Sequence, residues 1–255
     1  MSNFAAVLDK YMILLRRIWA IWGVFIFLLM MLTLGVPVLL INMMITPGPR
    51  ALRRNIAFLH HVFTPIFLTL VGIRLNVEGK QYLDPKQSYV IVSNHRTSLD
   101  FIVNAGAFPG IFRFLAKQEL QKIPVFGWVV KKMCLTVDRS SAMSRARSVV
   151  DLKNQLAAGW SIFIYPEGGR NRSEEPLGPF FDGAFRIALQ TKAPIAIQTV
   201  RNIHKVTASA RSVDLWPGTL HIAWSEPIPT GQFNADNIND LKDEVRRRML
   251  AHLQA

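Results

Sequence analysis

Cysteine is nearly absent from this 255-residue chain, and its scarcity excludes several kinds of site. The one cysteine, Cys134, permits neither an intrachain disulfide nor a thiolate metal cluster. It lies in the apolar run Met133–Leu135 and is predicted to be a small core residue rather than a nucleophile. The chain also has no zinc-ligand spacing and no P-loop phosphate motif, so we expect no metal site and no nucleotide-binding loop of that type.

Acidic residues are scarce as well: 17 Asp and Glu stand against 30 Lys and Arg, a formal net charge of +13. This balance implies an anionic partner, namely nucleic acid, anionic lipid headgroups or a phosphorylated substrate. Hydrophobic residues make up 50% of the chain, which favours lipid. A nucleic-acid-binding membrane protein is an alternative that rests on charge alone. Because the chain lacks the aromatic-plus-basic block of the usual readers, we expect no nucleic acid partner.

Charge is missing altogether from Ile18 to Gly48. Within that stretch residues 20–45 are almost wholly apolar, and about 20 apolar residues suffice for a helix to cross a bilayer. The run begins too late and continues too long for a standard signal peptide. We therefore predict a membrane-embedded segment, with a buried core helix as the alternative.

The charges that flank this segment leave its topology open. Arg16 and Arg17 precede it, and three arginines follow within Arg50–Arg54, which conflicts with a simple crossing under the positive-inside rule. Pro37 could break the run into a re-entrant pair that returns to the cytoplasmic face, with a single span as the other option. We expect the protein in the inner (cytoplasmic) membrane, with its active site facing the cytoplasm.

A change of pattern at Gly72 divides the chain. The preceding apolar stretch, residues 55–71, is expected to be broken by Pro65. It also carries His60 and His61, which point about 100° apart on a helix and are predicted to be interfacial polar residues rather than a chelating pair. Residues 1–71 are therefore predicted to form an N-terminal membrane-anchoring helical segment, and residues 72–255 an α/β domain.

Short apolar runs alternate with amphipathic segments through the second part of the chain. This alternation predicts an α/β domain with a mixed central sheet, flanking helices on both faces and a site at the carboxyl ends of the strands. The predicted strands are residues 73–78, 89–93, 112–116, 133–137, 161–165 and 219–224, and a helix is predicted to begin near Pro124.

Two further helices carry specific expectations. Residues 141–158 are predicted to be amphipathic, with four residues facing the core: Val149, Val150, Leu152 and Leu156. Residues 234–254 are predicted to form a terminal helix whose run Arg246–Arg248 makes a solvated or lipid-facing cationic face.

The segment Asn94–Asp100 follows a predicted buried strand directly. On a continuous helix His95 and Asp100 would diverge by about 140°, so they meet only if a loop precedes a helix that starts near Ser98, a good N-cap residue. A carboxylate on one imidazole nitrogen fixes the tautomer and makes the other nitrogen a base. The alternative is that Asp100 complements the helix dipole and His95 is a polar loop residue.

A second polar segment, Pro166–Ser173, follows the predicted strand 161–165. Its glycines, Gly168 among them, let backbone amides approach an anion, and Arg170 adds a charge-assisted donor. Glu167 could accept from an acceptor hydroxyl or hold an arginine in place. A Gly-rich surface turn with solvated arginines is the alternative.

These segments resemble, in order and in residue type, the glycerolipid acyltransferases, in the branch of the 1-acylglycerol-3-phosphate acyltransferases. Asn94–Asp100 is similar to the family's His-x4-Asp block and Pro166–Ser173 to its Pro-Glu-Gly-Thr-Arg-Ser block. Three weaker matches bring the coverage to roughly residues 72–200: Lys117–Gly127, Asp138–Ser140 and Gly183–Ile195.

Four departures from the family pattern are visible. Gly169 replaces the usual threonine, and the serine of that block falls two places later, at Ser173. Asp182 stands where a lysine is common, and Ile197-Gln198 replace a typical Pro-Val.

The resemblance implies transfer of a fatty acyl group from acyl-CoA or acyl carrier protein to the sn-2 hydroxyl of 1-acylglycerol 3-phosphate, giving phosphatidic acid. His95 would be the general base and Asp100 its orienting carboxylate. No metal and no further cofactor would be needed, because the thioester supplies the leaving group. The implied substrate-binding residues are Lys117, Arg139, Glu167, Gly168 and Arg170.

Two alternatives stay open at this point. The same chemistry could act on another acceptor, such as a lyso-ornithine lipid or another lysophospholipid, since Gly169, Asp182 and Ile197 depart from the family pattern. The chain could also be a non-catalytic membrane protein that binds phospholipid, although an intact His95 and Asp100 argue against it.

Overall fold

The computed structural model describes residues 2–46, 48–124, 126–137, 142–207 and 214–254, and it contains a mixed α/β sheet domain preceded by long helices. The helices are α1 Ser2–Met30, α2 Val36–Ile45, α3 Pro49–Phe58, α4 Thr64–Leu70, α5 Asp100–Ala107, α6 Phe126–Met133, α7 Ala142–Ala157, α8 Gly183–Thr191, α9 Ile203–Val206 and α10 Ile238–Gln254. The strands are β1 Ile73–Glu78, β2 Val90–Ser93, β3 Phe112–Lys117, β4 Leu135–Val137, β5 Ser161–Ile164, β6 Ile195–Val200 and β7 Gly218–Trp224.

The N-terminal helices form an antiparallel hairpin. The indole N–H of Trp19 donates to the Val71 carbonyl at 3.0 Å. The ring centroid of Phe27 lies 5.6 Å from that of Phe67. These contacts run in opposite directions along the two arms, so the chain reverses between α2 and α3.

Neither proline breaks its arm of the hairpin, which corrects the sequence prediction. A π-helical turn, Met31–Gly35, joins α1 to α2 just before Pro37, and another, Leu59–Phe63, joins α3 to α4 just before Pro65. In a regular helix a proline ring clashes with the carbonyl four residues earlier. The wider π turns accommodate the prolines, so the helices continue through them.

One helical segment among the described residues, Asp9–Ile45, is long and apolar enough to cross a membrane, with a mean hydropathy of 2.8. Only 28% of its most apolar window is buried. Large apolar side chains such as Ile21 and Phe25 are more than half exposed, which is unlike the core helix of a soluble domain.

Seven strands in the described residues form one sheet in the order β1-β7-β6-β2-β5-β3-β4, and its pairs are parallel except β6 with β7. Along β2 and the residue before it, Val90 and Val92 belong to one hydrophobic cluster, whereas Tyr89 and Ile91 belong to another. Both faces of the central strands are therefore covered. The predicted fold class, a mixed sheet flanked by helices, is confirmed.

Three local predictions were wrong in detail. Met133 completes α6, so β4 starts only at Leu135. Val150 is 55% exposed, because its position along α7 lies off the face that buries Leu152. The terminal helix begins at Ile238 rather than at residue 234, since side-chain to backbone bonds of Asn234 and Asn237 hold a turn before it.

The division at residue 72 stays a prediction. The helical hairpin ends at Leu70 and the first strand begins at Ile73. However, hairpin residues such as Phe63 and Phe67 belong to the same hydrophobic cluster as strand residues such as Ile162. The two parts therefore share a core.

Candidate active site

The imidazole of His95 and the carboxylate of Asp100 meet, as the loop-then-helix prediction required. His95 Nδ1 lies 2.9 Å from Asp100 Oδ2, and the two side chains are 17% and 2% exposed. His95 follows β2 in the loop, and Asp100 is the first residue of α5. A proton on Nδ1 shared with the carboxylate leaves the Nε2 lone pair available as a base.

Asp100 is held by donors from its own loop. Its Oδ2 also accepts the backbone N–H groups of Arg96 at 2.6 Å and Thr97 at 2.9 Å, and its Oδ1 accepts the Thr97 hydroxyl at 3.1 Å. These bonds lock the orientation of the carboxylate. The predicted N-cap at Ser98 was wrong, because α5 begins at Asp100 and the Ser98 hydroxyl instead accepts from Arg170 at 3.1 Å.

The backbone of His95 is held on both sides by the segment that follows β5. Its N–H donates to Glu167 Oε1 at 2.8 Å, and its carbonyl accepts the Asn171 N–H at 2.6 Å. The other oxygen of Glu167 accepts the Gly178 N–H at 2.7 Å. Glu167 therefore ties two loops to His95, a role that differs from the acceptor or arginine contact expected from sequence.

Glu167 is 8% exposed, and burial raises its pKa above the ordinary value of a glutamate, while the bonds from Gly178 and His95 oppose that rise. A buried carboxylate that accepts two backbone donors is a structural anchor.

Gly168 supplies the left-handed backbone conformation that this turn requires. Its φ is +68°, a left-handed value that glycine adopts without strain, and its N–H donates to the Tyr165 carbonyl at 3.0 Å. The amide expected to meet a phosphate is therefore engaged within the turn. A Cβ added at Gly169 would meet nothing within 4 Å, so the backbone here leaves open space where a side chain would begin.

Two of the expected cations line the same cavity as His95. Arg170 is exposed beside Ser98, and Lys117 is exposed at the carboxyl end of β3. Arg139 lies outside the residues that the structure describes. Asp182 forms ion pairs with Lys242 and Arg186. The hydrogen bond from Lys242, and after it the one from Arg186, lowers the pKa of Asp182.

The cavity has a volume of about 510 Å³ and is mostly apolar. It is lined by residues of the hairpin such as Phe27 and Met31 and, along β3, by every residue from Phe112 to Lys117 except Arg113. The four residue steps from Phe112 to Ala116 correspond to about 13 Å along a strand. A second cavity of about 580 Å³ is lined by residues such as Gly178, Lys242 and Arg246 and not by His95.

His60 and Cys134 also line the apolar cavity. His60 is only 6% exposed, with its ring centroid 4.5 Å from that of Phe112, so the interfacial prediction was wrong for this residue, whereas His61 is exposed. Burial raises the pKa of Cys134 to about 12, which keeps the thiol protonated. Among the described residues no cluster of three His, Cys, Asp or Glu is placed to hold a metal ion.

Sequence reasoning missed three residues that touch or support the histidine: Tyr165, Asn171 and Arg246. Tyr165 stacks on the His95 ring. Arg246 was predicted to be solvated or lipid-facing, but its guanidinium donates to the carbonyls of Gly178 at 2.7 Å and Leu177 at 3.1 Å. The aromatic residue just before Pro166 was a visible signal; the contacts of Asn171 and Arg246 span too much sequence to leave one.

Comparison with known proteins places the chain in a family and supports the fold. A family model described as acyltransferase matches residues 74–200. The 1-acyl-sn-glycerol-3-phosphate acyltransferase alpha of Homo sapiens is 31% identical over 188 residues, which are 71% of this chain and 64% of the human protein. The acl-1 protein of Caenorhabditis elegans is 30% identical over 185 residues, 71% of this chain and 69% of its own length.

A solved structure extends the likeness to the whole fold. The crystal structure of the 1-acyl-sn-glycerophosphate (LPA) acyltransferase PlsC from Thermotoga maritima matches with a TM-score of 0.80 at 18% identity, covering 95% of this chain and 97% of that one. The chain spans somewhat less than two thirds of the length of the human relative. These matches, together with the His95–Asp100 and Glu167–Gly168 blocks, show that the chain belongs to the acyltransferase family that includes the 1-acyl-sn-glycerol-3-phosphate acyltransferases.

Proposed function

We propose that this protein transfers a fatty acyl group from a thioester, acyl-CoA or acyl carrier protein, to the sn-2 hydroxyl of 1-acylglycerol 3-phosphate, giving phosphatidic acid. The observation that carries the proposal is the 2.9 Å contact of His95 with Asp100 at the wall of an apolar cavity. The name of the human relative supports the same acceptor. The thioester brings its own leaving group, so the proposal includes no metal and no prosthetic cofactor.

In the proposed reaction His95 Nε2 takes the proton of the acceptor hydroxyl as its oxygen attacks the thioester carbonyl. The carbon–sulfur bond then breaks, and the imidazolium returns the proton to the departing thiolate. Asp100 keeps Nδ1 protonated and stabilises the imidazolium while it exists. General base catalysis of this kind contributes about 10²–10⁴ in rate.

The acceptor phosphate is assigned to the cations at the cavity wall. Arg170 and Lys117 are exposed there, and a guanidinium offers two parallel donors to phosphate oxygens. Arg139 is included on the family resemblance. Gly168 shapes the turn that presents Arg170, and Glu167 holds the histidine backbone instead of the acceptor.

An acyl chain is assigned to the apolar cavity, whose lining includes residues of the candidate span Asp9–Ile45. A lipid could then enter from the bilayer without leaving apolar surroundings. We accordingly propose a location in the cytoplasmic membrane, with the site on the cytoplasmic side, where thioester donors are made.

A second acceptor class is favoured by one observation. The space beside Gly169 is open, and it adjoins Arg170 at the cavity wall. This leaves room for a headgroup larger than phosphate, such as that of a lyso-ornithine lipid.

The test is transfer of a radiolabelled acyl group from acyl-CoA and from acyl carrier protein to lysophosphatidic acid, in membranes that carry matched amounts of each variant. His95→Ala and Asp100→Asn are expected to lose about 10²-fold or more of the activity. The exposed His204→Ala serves as the matched histidine control and is expected to keep it.

Equal transfer by wild type and His95→Ala would refute the mechanism. Transfer to lyso-ornithine lipid but not to lysophosphatidic acid would replace the acceptor and keep the mechanism. Lipid binding without transfer to either acceptor would favour the non-catalytic alternative.

A further inference from the structure

The ring of Tyr165 lies flat against the imidazole of His95. The two ring centroids are 3.8 Å apart, and the ring planes differ by 12°. Aromatic pairs elsewhere among the described residues are tilted or edge-on, with the exception of Phe180 and Phe185 at 6.2 Å. The His95–Tyr165 stack is therefore close enough to define the plane of the imidazole.

Tyr165 is itself fixed from two directions. The edge of Phe163, on β5, packs against it with centroids 5.2 Å apart. Its hydroxyl meets the side-chain amide of Asn104 at 2.9 Å, and Asn104 is fully buried on α5. The tyrosine ring thus has little freedom to rotate away from the histidine.

One helix supports the histidine twice. Asp100 and Asn104 are four residues apart on α5 and share a face. Asp100 binds the edge of the imidazole through Nδ1, while Asn104 holds the tyrosine that covers its face. Any rotation of the imidazole would break the bond to Asp100 or the stack on Tyr165.

The tyrosine remains a neutral ring while it does this. Burial, and after it the charge of Asp100, raises the pKa of Tyr165 well above its ordinary value. A neutral phenol ring presents a negative π face, which attracts a cation placed over it. The imidazolium formed when His95 takes a proton is such a cation.

We propose that Tyr165, anchored by Asn104, is a positioning residue for the general base: it fixes the plane of the His95 imidazole and stabilises the imidazolium through its π face. This inference rests on the proposed role of His95. Misplacement of a reacting group by about 1 Å can reduce a rate about a hundredfold, so a stack of this kind affects turnover more than binding.

The experiment compares Tyr165→Phe with Tyr165→Leu in the acyl-transfer assay, with kcat and the KM for the acceptor measured separately. Tyr165→Phe keeps the stack and loses the bond to Asn104, so kcat should fall by about twofold to threefold. Tyr165→Leu removes the stack, so kcat should fall by about tenfold to a hundredfold at an unchanged KM.

Tyr89→Leu is the matched control, because it removes another large buried ring at the opposite end of the central strands. We expect it to lower Tm while kcat per folded molecule stays unchanged. If Tyr165→Leu does not fold, Asn104→Ala replaces it. Introduced into the wild-type protein, Asn104→Ala should lower kcat. Added to Tyr165→Phe, which already lacks the same bond, it should lower kcat little further.

Failure of the proposed mechanism and failure of the Tyr165 inference give different results. Full activity in His95→Ala overturns the proposed mechanism and this inference with it. Loss of activity in His95→Ala together with a wild-type kcat in Tyr165→Leu, or in Asn104→Ala when that variant stands in, overturns the inference alone.

Discussion

Glu167 holds the backbone of His95, with 2.8 Å between its Oε1 and the His95 amide nitrogen. The carboxylate lies between the histidine loop and the loop at Gly178, and it is 8% exposed. A residue expected to contact the acceptor thus supports the base from behind. The distinction has consequences that can be measured.

Glu167→Gln is expected to lower stability and turnover together. A side-chain amide has only one acceptor oxygen, so either the His95 or the Gly178 N–H loses its partner, at about 1–3 kcal/mol of unfolding free energy. We expect kcat to fall while the KM for the acceptor stays nearly constant. Denaturant unfolding and steady-state kinetics on one preparation check this; a raised KM with unchanged stability would return Glu167 to the acceptor site.

A matched pair of glycine variants tests the support for Glu167. A Cβ at Gly178 would lie 2.9 Å from Glu167 Oε2, whereas a Cβ at Gly169 meets nothing within 4 Å. Gly178→Ala should therefore displace the carboxylate, lowering both activity and stability, the latter by about 1–3 kcal/mol. Gly169→Ala should be tolerated. Similar behaviour of the two variants in unfolding and transfer assays would contradict this geometry.

Replacing either of two adjacent arginines of α10 should have very different effects on stability and turnover. Arg246 donates to two carbonyls of the loop that supports Glu167, whereas Arg247 is exposed and pairs with Glu244 on the same helix. Arg246→Ala should lower the free energy of unfolding by about 1–3 kcal/mol and reduce kcat. Arg247→Ala should leave both unchanged. Equal loss in the two variants would mean that the cationic run acts through its charge alone.

Thr97 and Ser98 provide a test of what starts α5. The Thr97 hydroxyl donates to Asp100 and accepts the Leu99 N–H, whereas Ser98 contacts Arg170. Thr97→Val should therefore destabilise the fold by about 1 kcal/mol. Ser98→Ala should leave Tm unchanged and raise the KM for a phosphate acceptor, because Arg170 loses a contact. A fall in Tm of Ser98→Ala with a normal KM would restore Ser98 as the helix cap.

Local sequence patterns were sufficient for most strands. The alternating run Ile73–Glu78 and the apolar runs that became β2, β3 and β5 were predicted nearly to the residue. A period of two and β-branched or aromatic composition depend only on neighbours along the chain. The two prolines defeated the same local reasoning, since the π turns before Pro37 and Pro65 have no comparable signature.

The roles of the polar side chains were harder to predict, because their partners lie far away in sequence. Glu167 reaches His95 across 72 residues, and Arg246 reaches Gly178 across 68. Nothing near Arg246 distinguishes it from its two neighbours. Only packing of α10 against the loop before α8 selects it.

By itself the sequence determined the chemical inventory: a histidine and a carboxylate set five residues apart after a strand, cations for an anionic substrate, and an apolar segment for a membrane. Short-range geometry is enough to predict the contact between His95 and Asp100, since a short loop followed by the start of a helix brings the two side chains together. Tertiary structure alone decided how the base is held, because the bond of Glu167, the stack of Tyr165 and the anchor of Asn104 each join different elements of the fold. Such contacts form only when strands and helices pack, so they depend on the whole core rather than on any one segment.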